Sequence, residues 1–86
     1  MSGKVAREKP ERLSEKLLQI RSGLRLSQNE MLRALELKLD RSAISGYELG
    51  TREPTLITLL KYARLAGVHM DVLVDDEMNL PKKFLK

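Results

Sequence analysis

Apolar residues recur at helical spacing in four short stretches of this chain, and three of the four run into a glycine. Leu13, Leu17 and Ile20 precede Gly23; Ile44, Tyr47 and Leu49 precede Gly50; Leu56, Leu59, Leu60 and Ala63 precede Gly67. A period near 3.6 residues marks an amphipathic helix, and a glycine just beyond the stripe marks its stop. The remaining stretch, Met31, Leu32, Leu35 and Leu39, has no breaker between Glu36 and Leu39, which leaves the end of that helix open. Punctuation this frequent restricts the chain to short helices that bury their stripes against one another.

The starts are marked as well. Ser27-Gln28-Asn29-Glu30 is a capping box, in which the Ser27 hydroxyl accepts from the Glu30 amide while the Glu30 side chain reaches back. Asp40 is placed to cap a third helix, and Thr55, after the Glu53-Pro54 turn, to cap a fourth. Val68-His69-Met70 leads into a short last helix or turn around residues 71–74, with His69 as its cap. The alternation of apolar residues at 68, 70, 72 and 74 also fits a strand that pairs with its twin. Residues 1–11, with Gly3 and Pro10 and no apolar period, read as a flexible arm. Residues 76–86, with Pro81 and little pattern, read as a tail. The expectation is an all-α fold, a compact bundle of about five short helices spanning residues 12–75.

A domain near this size buries only about 60% of the surface that its unfolded chain exposes. The chain has no cysteine for a disulfide, and His69 is its one histidine, so no Cys/His metal cluster can help. Stability must come from the helical core, with dimerisation as a further source. The same poverty argues against an enzyme: no Cys/His pair, no glycine-rich phosphate loop and no deep cleft in so small a fold. No cofactor and no metal are expected. The N-terminus lacks an apolar signal region, and no apolar run approaches the roughly 20 residues of a membrane span. A cytoplasmic protein that does not bind membranes is the expectation. The formal net charge of +4 is unevenly spread. Lys4, Arg7, Lys9 and Arg12 stand near the start, while Asp71, Asp75, Asp76 and Glu77 stand near the end. A basic front and an acidic back suit an oriented approach to phosphate, or make merely an uneven solvated surface.

From Leu13 to Leu73 the order of signals resembles the Cro/phage-repressor (XRE) helix-turn-helix family. The matching pieces are Leu24 to Glu30, Arg41-Ser42-Ala43-Ile44-Ser45-Gly46-Tyr47-Glu48-Leu49-Gly50, Arg52-Glu53-Pro54-Thr55-Leu56 and Ala66-Gly67-Val68. The resemblance implies a phage-repressor-like DNA-binding domain whose third helix, about Arg41 to Leu49, lies in the major groove of double-stranded DNA. It implies a phosphate contact from Gln28, beside the capping Ser27, and others from Thr51 and Arg52 in the loop after the third helix. It pairs Arg21 with Glu48 in a structural role. Two extra residues separate Gln28 from Ile44, and the usual turn glycine is missing. The second helix is therefore a half-turn longer, or the turn is wider.

Stepping about 100° per residue from an inward Ile44 puts Tyr47 and Glu48 near the core. Ser42, Ser45, Gly46 and Leu49 fall on the opposite side, with Arg41 at the N-terminal edge. The face is narrow, which suits a groove as well as plain solvent. Arg41 can donate twice to guanine, and the serines can bond bases or phosphates. The function expected is sequence-specific DNA binding by a small transcriptional regulator. The alternative is an antitoxin or other protein-interaction module on the same fold, with Leu49 and residues 71–77 meeting a protein partner. A homodimer through the residues after Gly67 (Val68, Met70, Val72, Leu73 and Val74) is the expected assembly.

Overall fold

The computed structural model describes residues 9–85. The order is α1 (Leu13–Gly23), α2 (Gln28–Ala34), α3 (Arg41–Leu49), α4 (Leu56–Ala66) and α5 (Met70–Val74), followed by a 3-10 turn at Lys82–Phe84. The fold is all-α, as expected, and the described residues contain no strand: the alternating run after Gly67 ends as α5. Most of the expected arm lies outside the described residues. Helix α1 is the central element, packed against α3, α4, α5 and the 3-10 turn. Its Leu17 and Ile20 are fully buried together with Met31, Ile44, Tyr62 and Leu73.

Local chemistry sets most helix ends. The Ser27 hydroxyl accepts from the Glu30 amide at 3.0 Å, and the Ser27 amide donates to the Glu30 carboxylate at 2.7 Å. Asp40 accepts from the Ser42 amide at 3.0 Å, and Thr55 from the Thr58 amide at 3.1 Å. Gly50 and Gly67 stop α3 and α4 at φ 78° and 74°, a left-handed conformation that glycine adopts without steric cost. His69 sits at the start of α5, but its side chain makes no capping bond.

Two stops differ from expectation. Gly23 is still helical, and the left-handed residue is Arg25, at φ 61°. The Arg25 amide then donates to the Ser22 carbonyl and the Leu26 amide to Arg21, which closes a Schellman motif. Gly23 serves packing instead: a Cβ there would lie 2.6 Å from the Phe84 ring. Helix α2 ends the same way. Glu36, at φ 56°, takes the left-handed place, and the Leu37 amide reaches the Leu32 carbonyl at 3.0 Å. The extra residues therefore widen the turn rather than lengthen the helix. Left-handed backbone costs a non-glycine residue roughly 1–2 kcal/mol. The burial of Leu35 and the packing of Leu37 on the core offset that cost.

The segment after α5 is not a trailing tail. Its Leu80 and Phe84 are core residues, each 3% exposed. Polar ties hold it to α1. Lys16 lies on the apolar face of α1 and is buried, and its ammonium donates to the carbonyls of Val72 at 2.7 Å and Asp75 at 2.9 Å. These bonds satisfy the open C-terminal end of α5. Burial, with Arg12 nearby, pulls the Lys16 pKa below its usual value. In the other direction, the Asp76 carboxylate accepts from the amides of Glu11 at 2.9 Å and Arg12 at 3.1 Å, capping α1 from a distance. Those amide bonds hold its carboxyl below the usual range. The Arg12 guanidinium donates to the Asp76 carbonyl at 2.7 Å and to Asn79 Oδ1 at 2.8 Å. Arg12, one of the early basic residues, thus meets the acidic segment at Asp76, while Lys4 and Arg7 lie outside the described residues.

Phe84→Ala is expected to destabilise the whole domain by about 3–5 kcal/mol, because it empties a site shared by α1 and the C-terminal segment. Denaturant unfolding measures this. A loss below about 1 kcal/mol would show that the segment lies outside the cooperative unit.

Candidate nucleic-acid interface

Three elements meet at one carboxylate. Arg21, on α1, donates from Nε to Glu48 Oε2 at 2.6 Å and from Nη2 to Glu48 Oε1 at 2.9 Å, a two-pronged pair. The side chains are 19% and 6% exposed. The third prong, Nη1, donates to the Leu26 carbonyl at 2.9 Å, just ahead of α2. Gln28, the first residue of α2, donates from Nε2 to Glu48 Oε1 at 3.4 Å. The bonds to Glu48 raise the Arg21 pKa further. Helix α3 is thereby held against both α1 and the start of α2. The expected Arg21–Glu48 pair is present and central.

On α3, Ala43, Ile44, Gly46 and Tyr47 are buried. Arg41, Ser42 and Leu49 are exposed, and Ser45 is partly so. Spacings of four residues place Arg41, Ser45 and Leu49 on one stripe, with Ser42 beside it. Both the amide and the hydroxyl of Ser42 donate to Asp40 Oδ1. The hydroxyl proton is therefore committed to the cap, while the oxygen keeps its acceptor capacity. The same bonds, the hydroxyl first, lower the Asp40 pKa.

Gly46 departs from the expected open face. The turn after Gly50 folds back onto α3. The Gly46 carbonyl accepts from the amides of Thr51 at 3.0 Å and Arg52 at 3.2 Å, and from the Thr51 hydroxyl at 3.5 Å. A Cβ on Gly46 would stand 2.8 Å from Arg52 Cβ. Counting angles along a lone helix could not anticipate a loop that covers one position of it. Thr51 and Arg52 are exposed and tied to α3 by these bonds. Ser27 is exposed as a cap, and Gln28 is partly exposed beside Glu48. The structure therefore gathers Gln28, Thr51 and Arg52 around α3 by direct contacts. Lys61 was not anticipated; its ammonium donates to the Glu36 carbonyl at 3.3 Å and ties α4 to the wide turn. Among the described residues no cluster could hold a metal, and no helix is long and apolar enough to cross a membrane.

Two short helices joined by a turn, the second presenting a polar stripe, also carry a family's signature. A helix-turn-helix family model matches residues 17–73. The chain belongs to the Cro/C1-type (XRE) helix-turn-helix family. An uncharacterised HTH-type transcriptional regulator of Bacillus subtilis, YqaE, is 38% identical over 66 residues. That match covers 77% of this chain but 55% of the relative, so the helix-turn-helix protein spans about half of the relative's length. Among solved structures, the restriction-modification controller protein C.AhdI from Aeromonas hydrophila superposes with a TM-score of 0.62 at 29% identity, over 72% of this chain and 91% of that one. A hypothetical transcription factor, NHTF, from Neisseria gives 0.63 at 25%, over 83% and 86%. The helix-turn-helix consists of α2, the wide turn and α3, and α1 braces it.

Glu48→Ala is expected to cost on the order of 3 kcal/mol, because it strands a largely buried guanidinium with one carbonyl partner. Thermal unfolding tests this; an unchanged melting temperature would contradict the bracing role.

Proposed function

We propose that the protein binds double-stranded DNA sequence-specifically as a small transcriptional regulator, with α3 in the major groove. The observation that carries this reading is the exposed stripe of Arg41, Ser42, Ser45 and Leu49 on a helix that the Arg21–Glu48 pair holds from behind. Arg41 has the donors for guanine O6 and N7; Ser45 suits bases or phosphates, and the Ser42 oxygen can accept from a base amino group. Leu49 is 73% exposed on the same stripe, where its methyls suit a thymine methyl. Ser27 and Gln28 at the start of α2, and Thr51 and Arg52 after α3, flank the stripe and serve the phosphates. The family membership and the regulators among the similar proteins support the reading.

The test begins by selecting a preferred duplex from random sequence. On that duplex Arg41→Ala should lose about 1–3 kcal/mol and relax one base position. Gln28→Ala should weaken all sequences alike, since phosphate contacts position without specifying. Parent and Arg41→Ala binding equally across salt concentrations would remove Arg41 from the interface. A changed base preference in Gln28→Ala would overturn the placement of α2.

We also infer a homodimer on DNA, which would give one short reading helix two half-sites about a turn apart. We place the pairing surface at the start of α4 rather than in the residues after Gly67. Leu73 is fully buried, and Val68, Met70 and Val72 pack on the core, which leaves Val74 as the exposed member. Leu56 and Ile57, at the start of α4, are 69% and 60% exposed. Sedimentation with and without duplex should show a weak dimer that DNA strengthens and Ile57→Glu abolishes. A strict monomer that binds one half-site per duplex would contradict the assembly.

A further inference from the structure

We propose that Gly46 acts in DNA binding without touching DNA: it is the seat that aims Arg52 at a backbone phosphate beside the groove that α3 reads. The proposal rests on the DNA-binding reading above and assigns Gly46 a positioning role within it. A glycine inside a helix weakens it relative to alanine, so its presence in the middle of α3 calls for a reason. Clearance for the groove does not supply one, because Gly46 is buried and the atoms over it belong to the protein. The nearest is Arg52 Cβ, 2.8 Å from where a Gly46 Cβ would stand, and Arg52 Cδ follows at 3.5 Å. The stem of Arg52 thus lies along the helix surface at the one position without a side chain.

The backbone is held at the same place. The amides of Thr51 and Arg52 both donate to the Gly46 carbonyl, at 3.0 and 3.2 Å, and fix the Arg52 Cα against α3. The Arg52 side chain is therefore seated over Gly46, on the same helix that carries Arg41 and Ser42. Its planar fork of donors matches a phosphodiester better than a lysine ammonium does. An arginine already confined in this way loses less freedom on binding than one that swings in solvent. Adding a Cβ at position 46 would push Arg52 Cβ away. That atom lies next to the backbone, so the displacement would move the loop and not merely a side-chain tip.

The experiment compares the parent, Gly46→Ala, Arg52→Ala and the double variant on the selected duplex over a range of salt concentrations. Arg52→Ala should bind roughly tenfold more weakly, with the slope of log affinity against log salt reduced by about one. Gly46→Ala should reproduce most of both effects with base preference unchanged, and the double variant should bind no worse than Arg52→Ala. Alanine is the better helix former, so Gly46→Ala should remain folded, the loop yielding before the helix. A Gly46→Ala protein that unfolds outright, or that keeps the parent's affinity and salt slope, overturns the proposal. So does one that changes base preference, which would put position 46 in the groove. Those results leave the DNA-binding reading standing; a parent that binds no duplex at any salt concentration defeats the reading itself.

Discussion

The Glu48 carboxylate organises this fold. It takes two donors from Arg21 and a third from Gln28, while the free prong of Arg21 closes on the Leu26 carbonyl. Helix α3, the helix that leads into α2 and the first turn of α2 are thereby referred to one point. A lone helix of nine residues has little stability of its own in water and no fixed direction. Held at Glu48 and packed through Ile44 and Tyr47, α3 becomes a rigid presenter of its opposite side. The stripe keeps one fixed direction because the rear of the helix is held.

A second set of ties works where a small chain would otherwise fray. Lys16 from α1 closes the carbonyl end of α5, and Asp76, just beyond α5, closes the amide end of α1. Each helix thus satisfies the orphan groups of the other. Arg12 adds bonds to the same segment, and Phe84 packs over Gly23. Without cysteines, this reciprocal closure extends the core of a domain of limited size.

The sequence showed whatever neighbours along the chain decide. Ser27 with Glu30, Asp40 with Ser42 and Thr55 with Thr58 are contacts within three residues, and Gly50 and Gly67 are left-handed stops of ordinary kind. Features that depend on distant partners were hidden. In sequence Gly23 looks like a stop, because nothing local shows that Phe84 will arrive at its surface. Arg25 and Glu36 take left-handed backbone only because a Schellman closure and core burial support them there. Angle alone puts Gly46 on an open face, while a folded-back loop covers it. Lys16 did carry a signal: it shares the apolar face of α1 with Leu13, Leu17 and Ile20, and a lysine there implies buried acceptors. The linear charge order likewise says nothing of Arg12 meeting the later segment at Asp76.

On the proposed reading, α2, α3 and the loop after α3 form one duplex-facing surface. A nuclear magnetic resonance titration of the labelled protein with its selected duplex tests this most directly. Amide and side-chain shifts should concentrate at residues 27–28, 41–49 and 51–52, while those of α5 and the segment around Leu80 and Phe84 stay nearly unmoved. Shifts concentrated on α5 and the C-terminal segment, with α3 unchanged, would contradict this placement of the duplex.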